Sequence, residues 1–137
     1  LDGAKYDQQP GAAFAAADVT VTDALDGLAM NLAPAYGSVP GLGRYRRSVH
    51  LTDTGLTLRD ETDYPGTVAL TLMSVEKPVI SGACVHLGTL AEVKTDGAAK
   101  ILVESVPITD ARLRQAWPDT LYRTRVYFCG TLSVEVW

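Results

Sequence analysis

The side chains best suited to acid–base or nucleophilic chemistry are two histidines, His50 and His86, and two cysteines, Cys84 and Cys129. A general base or an activated nucleophile needs a polar partner within hydrogen-bond reach, and sequence spacing assigns none to either histidine. The four residues also lack the spacing of a zinc site. Both cysteines lie in apolar runs, which favours two buried free thiols. A disulfide would require neighbouring strands and an oxidising compartment.

A second group with chemical potential is the acidic cluster of Asp60, Glu61 and Asp63. Its spacing does not match a calcium-binding EF-hand loop, and it runs into a Pro-Gly turn. Phosphate-binding, dinucleotide-binding and serine-nucleophile motifs are also missing from the sequence. We therefore predict no catalytic residue, no metal and no cofactor in this chain.

The sharpest inference concerns Arg47 and Asp60, which occupy apolar positions on two strands joined by the turn at 52–55. If Leu51 faces Leu56 across this hairpin, Arg47 faces Asp60. A buried charge without a partner is very costly, and arginine suits a two-pronged contact with a carboxylate. We predict an internal ion pair that fixes the hairpin register. The alternative is that Arg47 binds a ligand.

Arg44, Arg46 and His50 fall on the opposite face of the same strand. This face is either simply solvated or a basic stripe that contacts an anionic sugar or a neighbouring domain. Trp117 is interpreted as a packing residue, with stacking on a sugar ring as the alternative.

A further strand near the end of the chain places Arg123, Arg125 and Tyr127 on one face, opposite Val126 and Phe128. The second set is the better candidate for the core. The first set forms either a plain exposed strand or an interface of stacked arginine and tyrosine side chains.

Short alternating apolar segments separated by turn residues predict an all-β fold, an antiparallel two-sheet β-sandwich of about ten strands. Asp96-Gly97 and Gly130 are interpreted as hairpin turns. One short helical turn is expected at 109–117, capped by Thr109 and ended by Pro118. The expected strands are 17–22, 27–32, 44–51, 56–61, 67–75, 81–87, 89–94, 100–106, 121–129 and 131–136.

Length and charge fit a single domain over residues 1–137. The formal net charge of −4 argues against nucleic-acid binding. No apolar run reaches the roughly 20 residues needed to span a bilayer, and there is no signal-peptide pattern. Since the chain begins at Leu1 within ordinary domain sequence, we expect a fragment of a larger protein.

Several short segments together resemble the C-terminal β-sandwich region of heparinase II/III-like polysaccharide lyases, over nearly the whole chain. These segments are Leu1-Asp2-Gly3 followed by Gln8 or Gln9, Ala17-Asp18-Val19, Ala35-Tyr36, Tyr45-Arg46-Arg47-Ser48-Val49, Leu56-Thr57-Leu58-Arg59-Asp60, Asp110-Ala111-Arg112-Leu113 through Trp117, and Leu121-Tyr122-Arg123.

The resemblance implies an upstream α/α toroid that carries most of the chemistry, β-elimination at a uronic acid, with the family's catalytic Tyr and His before Leu1. No catalytic residue is carried over, and Tyr45, Arg47 and Asp60 match only a structural pattern. The expected partners are the toroid and an acidic polysaccharide, with a homodimer through an exposed apolar face as an alternative. The parent is expected to be secreted or periplasmic. A carbohydrate-binding module and a purely structural sandwich are the alternative functions.

Overall fold

A computed structural model describes residues 1–3 and 5–137 and confirms the antiparallel all-β sandwich. Three short 3₁₀ turns, Ala12–Phe14, Ala33–Tyr36 and Leu113–Gln115, are the helical structure within these residues. The nine strands in them are β1 (Ala17–Val21), β2 (Gly27–Asn31), β3 (Tyr45–Thr52), β4 (Gly55–Thr62), β5 (Val68–Ser74), β6 (Val79–Ser81), β7 (Cys84–Leu87), β8 (Ala91–Pro107) and β9 (Thr120–Val136).

Two long strands, β8 and β9, lie at the centre of the fold and pair along nearly their whole length. The order across the main sheet is β1-β2-β3-β4-β9-β8-β7-β6, and β5 pairs separately with β9. The first half of β9 pairs with β5 through Phe128, and its second half pairs with β4 from Thr131 onward. Only Cys129 and Gly130 lie between these two pairings, so the strand changes neighbours there.

One hydrophobic core joins the two halves of the long strands. Side chains at alternate positions of β9, before and after Gly130, are almost fully buried and belong to the same cluster as residues of β3, β5, β7 and β8. This alternation is the pattern expected when one face of each sheet is buried. The central members are Tyr45, Val68, Val85, Val93, Val126, Phe128, Leu132 and Val134.

The two predicted hairpin turns at Asp96-Gly97 and Gly130 are wrong, because both glycines lie inside continuous strands. Gly97 and Gly130 have φ values of 87° and 71°, a region that favours glycine. The pairing jumps from Asp96↔Ser133 to Ala98↔Phe128, so Gly97 faces an extended bulge of β9. The glycines therefore kink two long strands rather than reverse the chain.

The segment predicted as one strand at 81–87 is instead split into β6 and β7. They form a tight hairpin in which Ser81 faces Cys84. Gly82, at φ 60°, occupies the turn.

The helical turn predicted at 109–117 shrinks to the 3₁₀ turn Leu113–Gln115. Its start is organised by Asp110 rather than Thr109, because the Asp110 carboxylate accepts a 2.8 Å hydrogen bond from the Arg112 N–H. Short polar side chains that bond nearby backbone in this way favour turns over longer helices.

The first residues are anchored beside β5 through Asp2. Its N–H donates to the Thr67 carbonyl at 2.7 Å, and its carboxylate accepts from the Thr67 N–H at 3.0 Å. The Tyr64 hydroxyl donates to the same carboxylate at 2.5 Å. This bond is the main cause that lowers the pKa of Asp2, and it raises the pKa of Tyr64 to about 12.

Gly97→Ala tests whether the kink needs a glycine. A Cβ there would lie 2.5 Å from the Thr131 carbonyl oxygen, so we expect a loss of about 2–3 kcal/mol in unfolding free energy by denaturant titration. Gly82→Ala is the matched control, since its φ is also positive but nothing lies within 4 Å. It should cost only about 1 kcal/mol. Equal losses would contradict the close approach.

Tyr64→Phe tests the Asp2 anchor through pH. A lowered Asp2 pKa stabilises the fold above its ordinary value of 3.8, and this is lost as pH falls through the folded-state pKa. A raised Tyr64 pKa stabilises the fold below 10.0, and this is lost as pH rises through about 12. The stability difference between Tyr64→Phe and the parent chain should therefore be flat between these limits and shrink outside them.

The control for that experiment is Tyr6→Phe. Tyr6 packs edge-on against Tyr64, but its hydroxyl makes no hydrogen bond within residues 1–3 and 5–137. The difference in unfolding free energy between Tyr6→Phe and the unsubstituted chain should be small across the pH range. A Tyr64→Phe profile of the same shape would refute the anchor.

Candidate functional site

The predicted ion pair between Arg47 and Asp60 is confirmed, together with the register on which it depends. Leu51 faces Leu56, and Arg47 faces Asp60. The Arg47 Nε donates to Asp60 Oδ1, and Nη2 donates to Oδ2, both at 2.7 Å. The carboxylate is fully buried, while 25% of the arginine side chain remains exposed. The pair therefore reaches from the core toward the surface.

Tyr45 completes this cluster by donating its hydroxyl to Asp60 Oδ2 at 2.8 Å. In the sequence, Tyr45 matched only a structural pattern of the family resemblance, and the bond to Asp60 was not predicted. Tyr45 lies two residues before Arg47, however, so the sequence did place both side chains on one face of the strand. Burial, and then the charge of Asp60, raise the pKa of Tyr45. Burial opposes the charge of Arg47, but its bonds to Asp60 raise the Arg47 pKa overall. Neither group loses its proton near neutral pH.

Arg47 and Tyr45 also line a cleft of about 500 Å³. The Tyr36 ring stacks on the Tyr45 ring, with centroids 6.0 Å apart and planes inclined by 22°. Strands β5 and β9 provide a further part of the lining, and the N-terminal segment provides another. The remaining lining residues are Leu1, Gly3, Asp7, Gln8, Leu32, Ala69, Leu70, Thr71, Arg123, Arg125 and Tyr127.

The part of the cleft contributed by β9 is basic. Arg123 contacts Glu104 at 2.8 Å, and the Arg125 Nε lies 3.5 Å from the same carboxylate. Arg125 also donates through Nη1 to the Tyr127 hydroxyl at 3.3 Å, and this bond is the main cause that raises its pKa. One carboxylate thus faces two guanidinium groups. The sequence placed these arginines with Tyr127 on one face but gave no sign that they share a cleft with Arg47.

The other predicted contact residues lie outside this cleft. Arg44 and Arg46 line a small hollow beside Asp18, and both are exposed. His50, near the other end of β3, has its Nδ1 3.8 Å from an Asp26 carboxylate oxygen. Trp117 is 49% exposed in the connection between β8 and β9. Its packing role is therefore only partial, and glycan contact by these residues stays a prediction.

Both cysteines are free, but their predicted burial is wrong. Cys84 is partly buried, and Cys129 is exposed beside the corner at Gly130. In the part of the chain that the structure describes, no group of three or more His, Cys, Asp or Glu side chains is placed to hold a metal ion. No helix there is long and apolar enough to cross a bilayer.

Comparison with known proteins does not place the chain in a family. No protein-family model matches it, and no curated protein matches it significantly.

A double-mutant cycle tests the buried pair. Arg47→Met leaves a buried carboxylate without its counter-ion and should lower the unfolding free energy by about 3 kcal/mol. The double variant Arg47→Met with Asp60→Asn should be more stable than Arg47→Met alone, because the stranded charge is gone. We expect a coupling energy of about 2 kcal/mol from denaturant titrations.

The exposed pair Arg59 and Glu61, 2.9 Å apart on the other face of β4, is the matched control. The same cycle with Arg59→Met and Glu61→Gln should give less than about 1 kcal/mol. A coupling energy for Arg47 and Asp60 as small as that of the control would contradict the structural role.

Proposed function

We propose that this chain is a non-catalytic β-sandwich module of a polysaccharide lyase resembling the heparinase II/III-like enzymes. It supports an upstream α/α toroid and forms one wall of the substrate cleft. The observation that carries this proposal is the basic, tyrosine-lined cleft. Its lining includes Leu1, Gly3, Asp7 and Gln8, and the resemblance places the toroid just before Leu1.

The chemistry of the cleft supports binding rather than proton abstraction. β-Elimination requires a base that removes a proton next to the uronate carboxylate. The described lining contains no histidine. The Tyr45 hydroxyl is committed to Asp60, and burial is the main cause that raises the pKa values of both Tyr45 and Tyr36. A tyrosine with a raised pKa is a poor source of tyrosinate, so the base is expected from the toroid.

An apolar face of the main sheet supports the packing role. Cross-strand pairing aligns Val21 with Leu28 and Val49, and the neighbouring row aligns Leu51 with Leu56. Val21 and Leu51 are each 55% exposed. Burying such aligned side chains under another domain is favourable by about 25 cal/mol per Å² of apolar surface. A second copy of the chain is the alternative occupant of this face.

A free-standing carbohydrate-binding module is less well supported. Such modules need exposed aromatic rings arranged as a platform. Trp117 and Trp137 are 49% and 47% exposed, but they flank opposite ends of the 17-residue strand β9. They therefore do not form one row. The alternative of a purely structural sandwich does not account for the basic cleft.

Lyase assays test the proposal. The longer parent that carries the toroid should release unsaturated uronate products, detected by their ultraviolet absorbance, from a uronic-acid polysaccharide. This chain alone should release none. Product from the chain alone, or a toroid-bearing parent that is inactive on every uronic-acid polysaccharide supplied, would overturn the proposal.

A further inference from the structure

We infer that the cleft holds the acidic group of a saccharide with guanidinium N–H groups of Arg47 and Arg125 that have no acceptor among residues 1–3 and 5–137. The saccharide rests on the proposed function. The assignment of these two arginines, and of Asp60 as the residue that positions the first, rests on the hydrogen bonds of the cleft.

Arg47 presents a fixed and partly unused guanidinium. Its Nε and Nη2 are both committed to Asp60, and Nη2 also lies 3.4 Å from the Tyr45 hydroxyl. Nη1 has no hydrogen-bond acceptor among residues 1–3 and 5–137. Because the bidentate bond holds the planar group in one orientation, the free N–H groups of Nη1 are oriented before any ligand arrives. Asp60 is thus a positioning residue.

Arg125 contributes the second set of free donors. Its Nη1 donates to Tyr127, and its Nε shares the Glu104 carboxylate with Arg123. Its Nη2 has no acceptor within the described residues. Among residues 1–3 and 5–137, both cleft arginines therefore have donors without an acceptor.

Unused donors favour a ligand group that only accepts hydrogen bonds. A carboxylate provides about four lone-pair sites and no donor, whereas a sugar hydroxyl spends part of its capacity as a donor. A sulfate ester shares this acceptor-only chemistry. The half-buried Tyr36 ring, stacked on Tyr45, offers an apolar surface beside the donors. A cleft of about 500 Å³ is large for a lone inorganic anion and within the range of small-molecule sites.

Asp7 opposes anion binding and so provides a sharper test. Its carboxylate belongs to the lining and acts electrostatically on Arg125 and Tyr36. Asp60 and Glu104 are paired with arginines, whereas Asp7 forms no ion pair within 4 Å among the described residues and attracts Arg125 and the Leu1 ammonium from farther away. A bound anion would therefore meet the charge of Asp7 in the lining. Removing its charge should tighten the binding of an acidic ligand and leave a neutral ligand unaffected.

The binding test uses the 137-residue chain in calorimetric titrations with two matched probes. One is a β-1,4-linked glucuronic acid tetrasaccharide, and the other is cellotetraose, which carries hydroxymethyl groups in place of the carboxylates. The acidic probe should bind at least tenfold more tightly. Two further titrations use sulfated cellotetraose and inorganic sulfate. Equal affinity for both tetrasaccharides, or inorganic sulfate binding as tightly as the acidic probe, would overturn the inference.

Variants locate the site. Arg125→Gln should weaken binding of the glucuronic acid tetrasaccharide about tenfold, the loss expected for one charge-assisted hydrogen bond. Arg125→Lys should retain part of the affinity. Asp7→Asn should strengthen it severalfold. Arg112→Gln, at a side chain that is 90% exposed and outside the cleft, should leave it unchanged. Thermal unfolding curves verify that each variant folds.

The outcomes separate this inference from the proposed function. Suppose that the longer lyase is active, but the Arg125→Gln variant of the 137-residue chain binds the acidic probe as tightly as the unsubstituted chain does. That result would refute the cleft assignment alone. An inactive parent combined with Arg125-dependent binding of the acidic probe would refute the lyase proposal and leave the cleft assignment standing.

Discussion

The buried carboxylate of Asp60 is the constraint around which the rest of the main sheet is arranged. A fully buried carboxylate is very costly unless its lone pairs accept hydrogen bonds. Arg47 and Tyr45 together donate three short hydrogen bonds to Asp60. All three residues must share one face of β3 and β4, so a slip of one residue would move the pair off this face. The cost of breaking the pair thus specifies the register more sharply than the apolar side chains alone.

The second organising feature is the corner at Gly130, where β9 changes its partner from β5 to β4. Strand β8 is kinked at Gly97, opposite the corner of β9. The two long strands therefore contribute residues to both layers of the sandwich, and these residues pack in one continuous core. The same corner keeps β5, which forms part of the cleft lining, in reach of Arg47 on β3. The cleft is therefore a consequence of how the long strands bend.

Local patterns predicted some features and not others, for identifiable reasons. Alternation and a tight turn sufficed for the β3–β4 hairpin, because adjacent strands leave few choices of pairing. Gly97 and Gly130 were misread because a positive φ serves a turn and a bulge equally well, and the difference depends on distant partners. The cleft was missed for the same reason. Arg47 and Arg125 come from strands far apart in sequence, and no local spacing indicates that they line one cleft.

A structural ion pair and a binding site are usually treated as competing interpretations of an arginine, but the geometry at Arg47 makes them compatible. A guanidinium has five N–H donors, and a bidentate carboxylate uses one edge of it. Because Asp60 is fully buried and bonded to two nitrogens of Arg47, that edge is held in one orientation, and the remaining donors are oriented without further entropic cost. A solvent-exposed arginine would have to lose its rotamer freedom on binding. The interaction that sets the strand register is therefore the same one that prepares the cleft for a ligand.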